Sequence, residues 1–380
     1  MGVRLGSPER YGGGPMSRRT NSVLAALLAI GALSACSDEP EDLPTPEAEE
    51  ATDRGGPILD DDTMQAVLED IAATVDEADA AQDPSLLSDR VMGPAARLRS
   101  AEYRIADATD GAIQPDPLSL DTQVSIVGSS PTYPRVAMAV SEIPDGENLP
   151  LLLTLATSDV RDNFRLWSWV QLFPGVTVPE TLSPEIGAET ISSDDDSLVA
   201  TPDEVVAAYA ELIADPEADH DLIFLRDDFR YEMFSQTAEL NSAVSAAGTA
   251  TLSAEAIDDG PLALQTVDGG AIVVGVIETT TTVTKTDEDG TLNVGGIFAD
   301  LLGNDGTVEN EVQAVAEVSV AFYVPPADAE DASIEVLGAT SVLSEALANG
   351  ESVVLPSGES ATDGESSSDG EAATDGESAS

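Results

Sequence analysis

Apolar side chains recur every three to four residues in two segments of the chain, a spacing that places them on one face of an α-helix. The first set is Met64, Val67, Leu68, Ile71 and Val75. The second follows Thr201–Glu204 (TPDE), a capping box with proline at the first helical position. Less regular patterns predict further helix over Leu86–Leu98 and over Asp221–Val244, with a break near Asp227.

Each helical region precedes aliphatic and β-branched runs bounded by Pro, Gly, Asp or Asn, a pattern typical of antiparallel strands. In the first half the predicted strands are Glu102–Ala108, Thr122–Val127, Arg135–Ile143, Leu149–Ala156 and Asn163–Phe173. In the second half they are Thr249–Ile257, Leu262–Val267, Ala271–Thr286, Val312–Val324 and Ile334–Leu337. The order of helices followed by strands therefore occurs twice.

The repeated order predicts an α+β chain with two tandem domains, residues 58–184 and 201–350. The acidic segment Glu185–Ser197 lies between them, so residues 185–200 are predicted to form a linker. Helices packed on one face of a curved antiparallel sheet resemble the cystatin-like or NTF2-like folds. Because the two halves share little residue identity, two unrelated α+β domains remain the alternative.

An apolar run near the start of the chain is too short to span a bilayer and is typical of an export signal. It extends from Val23 to Leu33, follows Arg18 and Arg19, and ends in the sequence LSAC at Cys36. This ending resembles the lipobox of bacterial lipoproteins, which implies cleavage between Ala35 and Cys36 and a diacylglyceryl group on the cysteine. The alternatives are an ordinary signal peptide that happens to contain a cysteine and an uncleaved amphipathic start.

The lipobox interpretation divides the start of the chain into three parts. Residues 1–15 are predicted to be an extension upstream of the true start at Met16, and residues 16–35 the signal peptide. Residues 36–57, which begin with the lipidated Cys36, are acidic and proline-rich and are predicted to form an extended tether. The protein is therefore expected on the extracytoplasmic face of the cell membrane, which it contacts through the lipid anchor.

The strongly negative charge of the chain limits the partners that it can bind. The chain has 72 acidic and 15 basic residues and a formal net charge of −57, which disfavours nucleic acid and anionic lipid surfaces and favours diffuse association with cations. Residues 351–380 repeat short segments rich in Asp, Gly, Glu and Ser. Beyond Val353, Val354 and Leu355 this tail has only alanine as an apolar side chain, too little to form a core, so it is predicted to be disordered.

The sequence contains no motif that indicates catalysis. His220, the only histidine, lies between two aspartates and is predicted to be a solvated turn residue. No nucleophile elbow, phosphate-binding loop, dinucleotide-binding fingerprint or zinc-protease helix is present. We therefore predict neither catalytic residues nor a cofactor, although the abundant carboxylates leave an acid pair for glycoside hydrolysis open.

Because the chain has many carboxylates, a calcium site is the metal site to consider. Asp287–Gly290 (DEDG) resembles the start of an EF-hand loop, but the twelfth position is Phe298 instead of the required glutamate. The segment is better interpreted as a turn, and no metal site is predicted.

The most pocket-like feature is the predicted strand Asn163–Phe173. Side chains alternate across a strand, so one face would carry Arg165, Trp167, Trp169, Gln171 and Phe173. This face either lines a pocket for a small apolar ligand or fills the domain core. An apolar insertion, Leu292–Leu302, is either a lid, a partner contact or a loop tucked on the sheet.

The region from Ile58 to Gly350 resembles the uncharacterised tandem-domain lipoproteins of actinobacteria, in which a segment similar to residues 165–175 (RLWSWVQLFPG) recurs. That family has no assigned activity, so the resemblance implies a fold and no catalytic residue. The favoured function is a noncatalytic binding or scaffold protein of the bacterial cell envelope, with another envelope protein as partner. The first alternative is a carrier of a small apolar or amphipathic ligand at Trp167 and Trp169, and the second is a carboxylate-dependent hydrolase.

Overall fold

The computed structural model describes residues 55–290, 292–293, 295, 297–302, 307–349 and 351–352, and all of them belong to one compact unit. The predicted extension, the signal, Cys36, most of the tether and nearly all of the tail lie outside the described residues. The helices are α1 (Asp61–Ala81), α2 (Gly93–Ala108), α3 (Pro202–Ala214), α4 (Asp228–Val244) and α5 (Ile297–Leu302), and a short 3-10 helix spans Pro84–Leu87.

Local signals place the starts of α1 and α3 where the sequence predicts them. The predicted apolar stripe of α1 is buried, and the side chain of Asp60 caps the helix by accepting a hydrogen bond from Thr63 N at 2.8 Å. Both bonds of the capping box are present at α3: Glu204 N donates to Thr201 Oγ1 (3.2 Å) and Thr201 N donates to Glu204 Oε2 (3.0 Å). Both helix predictions are confirmed.

The predicted strand Glu102–Ala108 is wrong, because these residues form the second half of α2. Leu98, Ala101 and Ile105 recur at helical spacing and are all buried. The helix predicted over Leu86–Leu98 is interrupted instead at Val91, which bridges Leu166 in the sheet. The alternating polarity of Glu102–Ala108 favours a strand, but the packing of this segment against the sheet makes it helical.

The strands that follow agree with most of the predicted segments. They are β1 (Thr122–Ser129), β2 (Arg135–Ser141), β3 (Leu151–Thr157), β4 (Arg165–Gln171), β5 (Ala188–Ile191), β6 (Gly248–Ala256), β7 (Leu262–Gln265), β8 (Ala271–Lys285), β9 (Leu292–Asn293), β10 (Thr307–Val308), β11 (Glu311–Val324), β12 (Glu335–Ala348) and β13 (Glu351–Ser352). Helices and strands together confirm the α+β class. β12 is much longer than its predicted segment because polar residues interrupt its apolar pattern while β11 pairs with it along most of its length.

The predicted linker at 185–200 contains a strand of the main sheet, so it does not separate two sheets. β5 pairs with β1 of the first half in parallel and with β7 of the second half in antiparallel orientation. Its acidic composition suggested a linker, but Ala188 and Ile191 are buried and only Glu189 between them is exposed. A single sheet therefore runs through both predicted domains.

The main sheet curves until its two ends meet. Its order is β13-β12-β11-β8-β7-β5-β1-β2-β3-β4, with β6 paired to β8. Just beyond β4, Leu172 bridges Gly338 in β12, and Phe173 N donates to Leu337 O at 2.9 Å. This contact, which we call the seam, nearly closes the sheet.

Three buried clusters follow from this curvature. The interior cluster takes side chains from β1–β5, β7, β8, β11 and β12. On the outside, α1 and α2 cover one cluster and α3 covers another. The short α5 lies against α2 and β12 with Leu301 buried, so the apolar insertion is tucked on the fold as one of its three interpretations proposed.

Candidate functional site

Trp167 and Trp169, which were predicted to share a face, lie on opposite faces of β4. The pairing of β4 with β3 jumps from Leu166 to Ser168, so Trp167 is an extra residue in a β-bulge. Trp167 belongs to the interior cluster and Trp169 to the cluster beneath α1 and α2. The same-face prediction is wrong because the bulge shifts the alternation by one residue.

The five residues of the predicted pocket face do not line one cavity. The tryptophan side chains are only 3% and 2% exposed, which agrees with the alternative that they fill the core. Arg165 and Gln171 are half-buried at the two ends of β4, and the Gln171 side chain reaches Glu147 at 3.4 Å. Phe173 packs on the cluster beneath α3.

An open groove of about 1160 Å³ lies beside α1. One wall is the exposed edge of α1, and the other consists of residues 115–122 and the segment after β2, residues 142–145. Seven carboxylates line it: Asp61, Glu69, Asp76, Asp79, Asp121, Glu142 and Asp145. Arg99 is the one basic residue among the described residues of the lining, so we call this feature the acidic groove.

The periodicity of α1 explains the groove wall. Residues three or four apart share a helix face, and Asp61, Gln65, Glu69 and Asp76 run along the edge of the buried apolar stripe. Leu68 and Val75 from that stripe, with Leu120 opposite, form a buried apolar floor. The groove therefore combines an apolar floor with a rim of carboxylates.

A buried ionic cluster closes one end of the groove. Arg99 is held by Asp79 through its Nε (2.8 Å) and one terminal nitrogen, and its other terminal nitrogen donates to Glu102 Oε2 at 2.7 Å. Tyr103 Oη donates to Asp79 Oδ1 at 2.6 Å. The positive charge of Arg99 is thus engaged within the fold.

Burial dominates the electrostatics of this cluster. It raises the pKa of Glu102 to about 7, against the opposing effect of the Arg99 charge. Burial alone would lower the pKa of Arg99, but the hydrogen bonds and charges of Asp79 and Glu102 raise that pKa above its ordinary value. Burial and the bond to Asp79 likewise raise the pKa of Tyr103, which stays a neutral donor.

The carboxylates of the groove are spread out along it. Among the described residues, no three His, Cys, Asp or Glu side chains come close enough together to hold a metal ion. Asp287–Gly290 forms a turn, as predicted, in which Gly290 N donates to Asp287 O at 3.1 Å. The geometry thus presents several separate negative charges.

A family model, described as a domain of unknown function (DUF8094), matches residues 56–346 of the 380-residue chain. The chain belongs to this family. The match includes the groove, the seam and all of α1–α5, and it agrees with the resemblance to an uncharacterised family. A search of the curated proteins and a search of the solved structures each found no match.

Within the DUF8094 domain, His220 is not the solvated residue that the sequence predicts. Both ring nitrogens are buried without a hydrogen-bond partner among the described residues, and the ring contacts Phe224 edge-on at 5.8 Å between centroids. The prediction relied on the flanking aspartates, whereas the neighbouring aromatic side chains decide the position. Tyr209, Phe224 and Phe322 pack together next to it.

The described part of the DUF8094 domain contains no helix long and apolar enough to cross a membrane. The predicted lipidation site Cys36 and the cleavage position after Ala35 lie outside the described residues. Sequence reasoning missed the acidic groove because residues 115–122 reach α1 only in the folded chain. The detectable signal was the row of polar residues that borders the α1 stripe.

Proposed function

We propose that the protein is a noncatalytic binding protein of the bacterial cell envelope, anchored by a lipid on Cys36, and that its acidic groove binds a positively charged segment of another polypeptide. The observation that carries the proposal is the lining of the groove. Among the described residues of the lining, seven are carboxylates, and the one basic residue, Arg99, is already paired with Asp79 and Glu102. Charge complementarity of this kind favours specificity and rapid association.

The spread of the charges favours a peptide over a single ion. The lining extends along α1 from Asp61 to Asp79, which at 1.5 Å per residue is about 27 Å. An extended strand rises about 3.3 Å per residue, so roughly eight residues match this length. Basic side chains at intervals would each meet a carboxylate of the rim.

The apolar floor adds a second requirement for the ligand. Leu68, Val75 and Leu120 are buried below the rim, and Ile143 is half exposed beside it. Burial of apolar side chains of the ligand contributes about 25 cal/mol per Å². A segment that alternates basic and aliphatic residues therefore fits better than a polycation.

The arrangement of the titratable groups supports a noncatalytic role. Glu102 has a pKa near neutrality, which suits a general acid, but its side chain is buried and does not line the groove. Tyr103 donates to Asp79 and is likewise occupied. A carboxylate-dependent hydrolase stays a less favoured alternative.

Peptide binding to the full-length protein tests the proposal. A fluorescent eight-residue peptide of alternating lysine and leucine is titrated at low and high salt, and anisotropy gives the affinity. The groove variant replaces three exposed carboxylates: Asp76→Asn, Glu142→Gln and Asp145→Asn. A matched control removes the same charge from exposed positions elsewhere: Glu189→Gln, Asp196→Asn and Glu330→Gln.

Three exposed ion pairs at about 0.5 kcal/mol each predict a loss of about tenfold in affinity for the groove variant. The control variant should lose less than twofold at physiological salt, where distant charges are screened. Equal losses of affinity in the two variants would mean that binding depends only on net charge, which would refute the groove as the binding site.

The lipid anchor and the envelope location rest on the sequence pattern at Val23–Cys36. The origin of the two halves from a cystatin-like or NTF2-like unit, and the likeness to actinobacterial lipoproteins, stay predictions of the same kind. A carrier role at Trp167 and Trp169 is not proposed, because the two side chains are buried in separate clusters.

A further inference from the structure

A second concave feature lies beneath the C-terminal half of α4. It is a cavity of about 510 Å³ between α4 and strands β8 and β11. Its walls include Leu240 and Val244 from α4, Val283 from β8 and Val312 from β11. This volume lies within the range of pockets that hold small molecules.

The chemistry of the lining is unusual for this chain. None of the described residues that line the cavity is charged, although the chain has a formal net charge of −57. Thr281 and Asn293 are the polar side chains of the lining, and no aromatic ring is among the described residues that form it. Leucine, valine and alanine provide most of the surface, which suits flexible aliphatic groups better than flat aromatic rings that stack on aromatic side chains.

The helix above the cavity is held unevenly. Its N-terminus is fixed by the buried Asp227, which accepts hydrogen bonds from Arg230 N (2.8 Å) and Tyr209 Oη (2.9 Å). Beyond that point α4 has no fully buried residue, whereas α3 has seven. Leu240 and Val244 are only partly buried above the cavity.

This packing provides an entry route. Elements with few buried apolar contacts open locally at low free-energy cost. The half of α4 that covers the cavity has no buried residue and lies away from the cap at Asp227. A hydrogen bond joins the C-terminal half of α4 to β6: Ala250 N donates to Asn241 Oδ1 at 2.9 Å. Displacement of the C-terminal half of α4 would expose the cavity without disturbing the cap at Asp227.

We propose that this cavity binds the aliphatic chain of a small uncharged amphiphile, with α4 as its movable cover. The site differs from the acidic groove in position and in ligand chemistry, so either can fail without the other. It also differs from the pocket predicted at Trp167 and Trp169.

Calorimetric titration of the full-length protein with decan-1-ol tests the proposal, and 2-naphthol serves as the aromatic comparison. Saturable binding of one decanol molecule is expected, with a negative heat-capacity change from apolar burial. Naphthol should bind at least about tenfold more weakly. Ala247→Phe fills the cavity from the segment after α4 and should weaken decanol binding at least about tenfold.

Ala238→Phe is the matched control, since Ala238 is exposed on α4 and does not line the cavity. It should change the decanol affinity less than about twofold. If Ala247→Phe fails to fold, Ala243→Phe replaces it, because Ala243 lines the cavity from an exposed helix position. Absence of saturable binding, or equal affinity of the filling variant and the wild type, would overturn the proposal.

Discussion

Replacement of Gly338 by alanine tests the seam that joins the two ends of the main sheet. A Cβ atom at this position would lie 2.2 Å from Gln171 O and 2.9 Å from Leu172 Cα. Both contacts are with backbone, which cannot rotate out of the way as a side chain can. The substitution should therefore force β12 away from the chain that follows β4.

The magnitude follows from the contacts that the seam contains. Overpacking of a well-packed site costs about 1–3 kcal/mol. Loss of the hydrogen bond from Phe173 N to Leu337 O, which is 2.9 Å long, adds about 1 kcal/mol. The expected loss in the free energy of unfolding is about 2–4 kcal/mol, which corresponds to a decrease of roughly 5–15 °C in the unfolding midpoint for a domain of this size.

Tryptophan fluorescence provides the assay, because Trp167 and Trp169 are both buried and unfolding exposes them. Urea titrations of the wild type and Gly338→Ala give the two free energies of unfolding. Gly56→Ala is the control, since its Cβ would have no heavy atom within 4 Å, and it should stay within about 0.5 kcal/mol of the wild type. If Gly338→Ala were as stable as the control, the two ends of the sheet would not meet as described.

Three further predictions concern charged groups and the anchor. Arg97→Met should destabilise the fold by about 2 kcal/mol, because the buried Glu317 loses hydrogen bonds of 2.7 and 2.9 Å from Arg97, which is itself partly solvated. Urea unfolding measures the loss. The double variant that adds Glu317→Gln should recover part of it. Burial raises the pKa of Glu102 to about 7 from an ordinary value of 4.5, so the folded state binds the proton more tightly and wild-type stability should fall as pH rises between these values. Glu102→Gln should lack that component, and parallel stability profiles of variant and wild type at pH values from about 5 to about 7.5 would contradict the assignment. Cys36→Ala should abolish lipid attachment and signal cleavage, as followed by mass spectrometry and membrane fractionation, whereas unchanged mass and membrane retention would contradict the anchor.

The sequence predicts those elements whose signals are local. The stripe of α1 and the capping box at Thr201 depend on residues three or four apart, and both helices form as predicted. The bulge at Trp167 depends instead on how β4 pairs with β3, and β5 is a strand because partners on both sides bury its apolar residues. Long-range pairing of this kind leaves no regular spacing in the sequence.

The candidate sites follow the same division. The polar edge of α1 is visible in the sequence, but residues 115–122, which form the opposite wall of the acidic groove, come next to it only through the fold. The apolar cavity under α4 combines α4 with β8 and β11, which are far apart in the chain. Prediction of either site therefore needs the topology as well as the composition.

The position at which the chain enters the fold links the proposed anchor to the acidic groove. Gly55 accepts a hydrogen bond from Ser129 Oγ, and Ile58 N donates to Gly128 O at 3.0 Å, so the described chain starts against the end of β1. The groove begins a few residues later at Asp61.

The nineteen residues from Cys36 to Arg54 can extend at most about 65 Å at 3.3–3.6 Å each. A lipid on Cys36 would therefore hold the groove within that distance of the membrane, and the negative charge of the domain would keep it away from anionic lipid head groups. An anionic membrane and the acidic groove would then compete for a basic partner that is itself bound to that membrane. The carboxylate rim together with the apolar floor would favour binding to the groove.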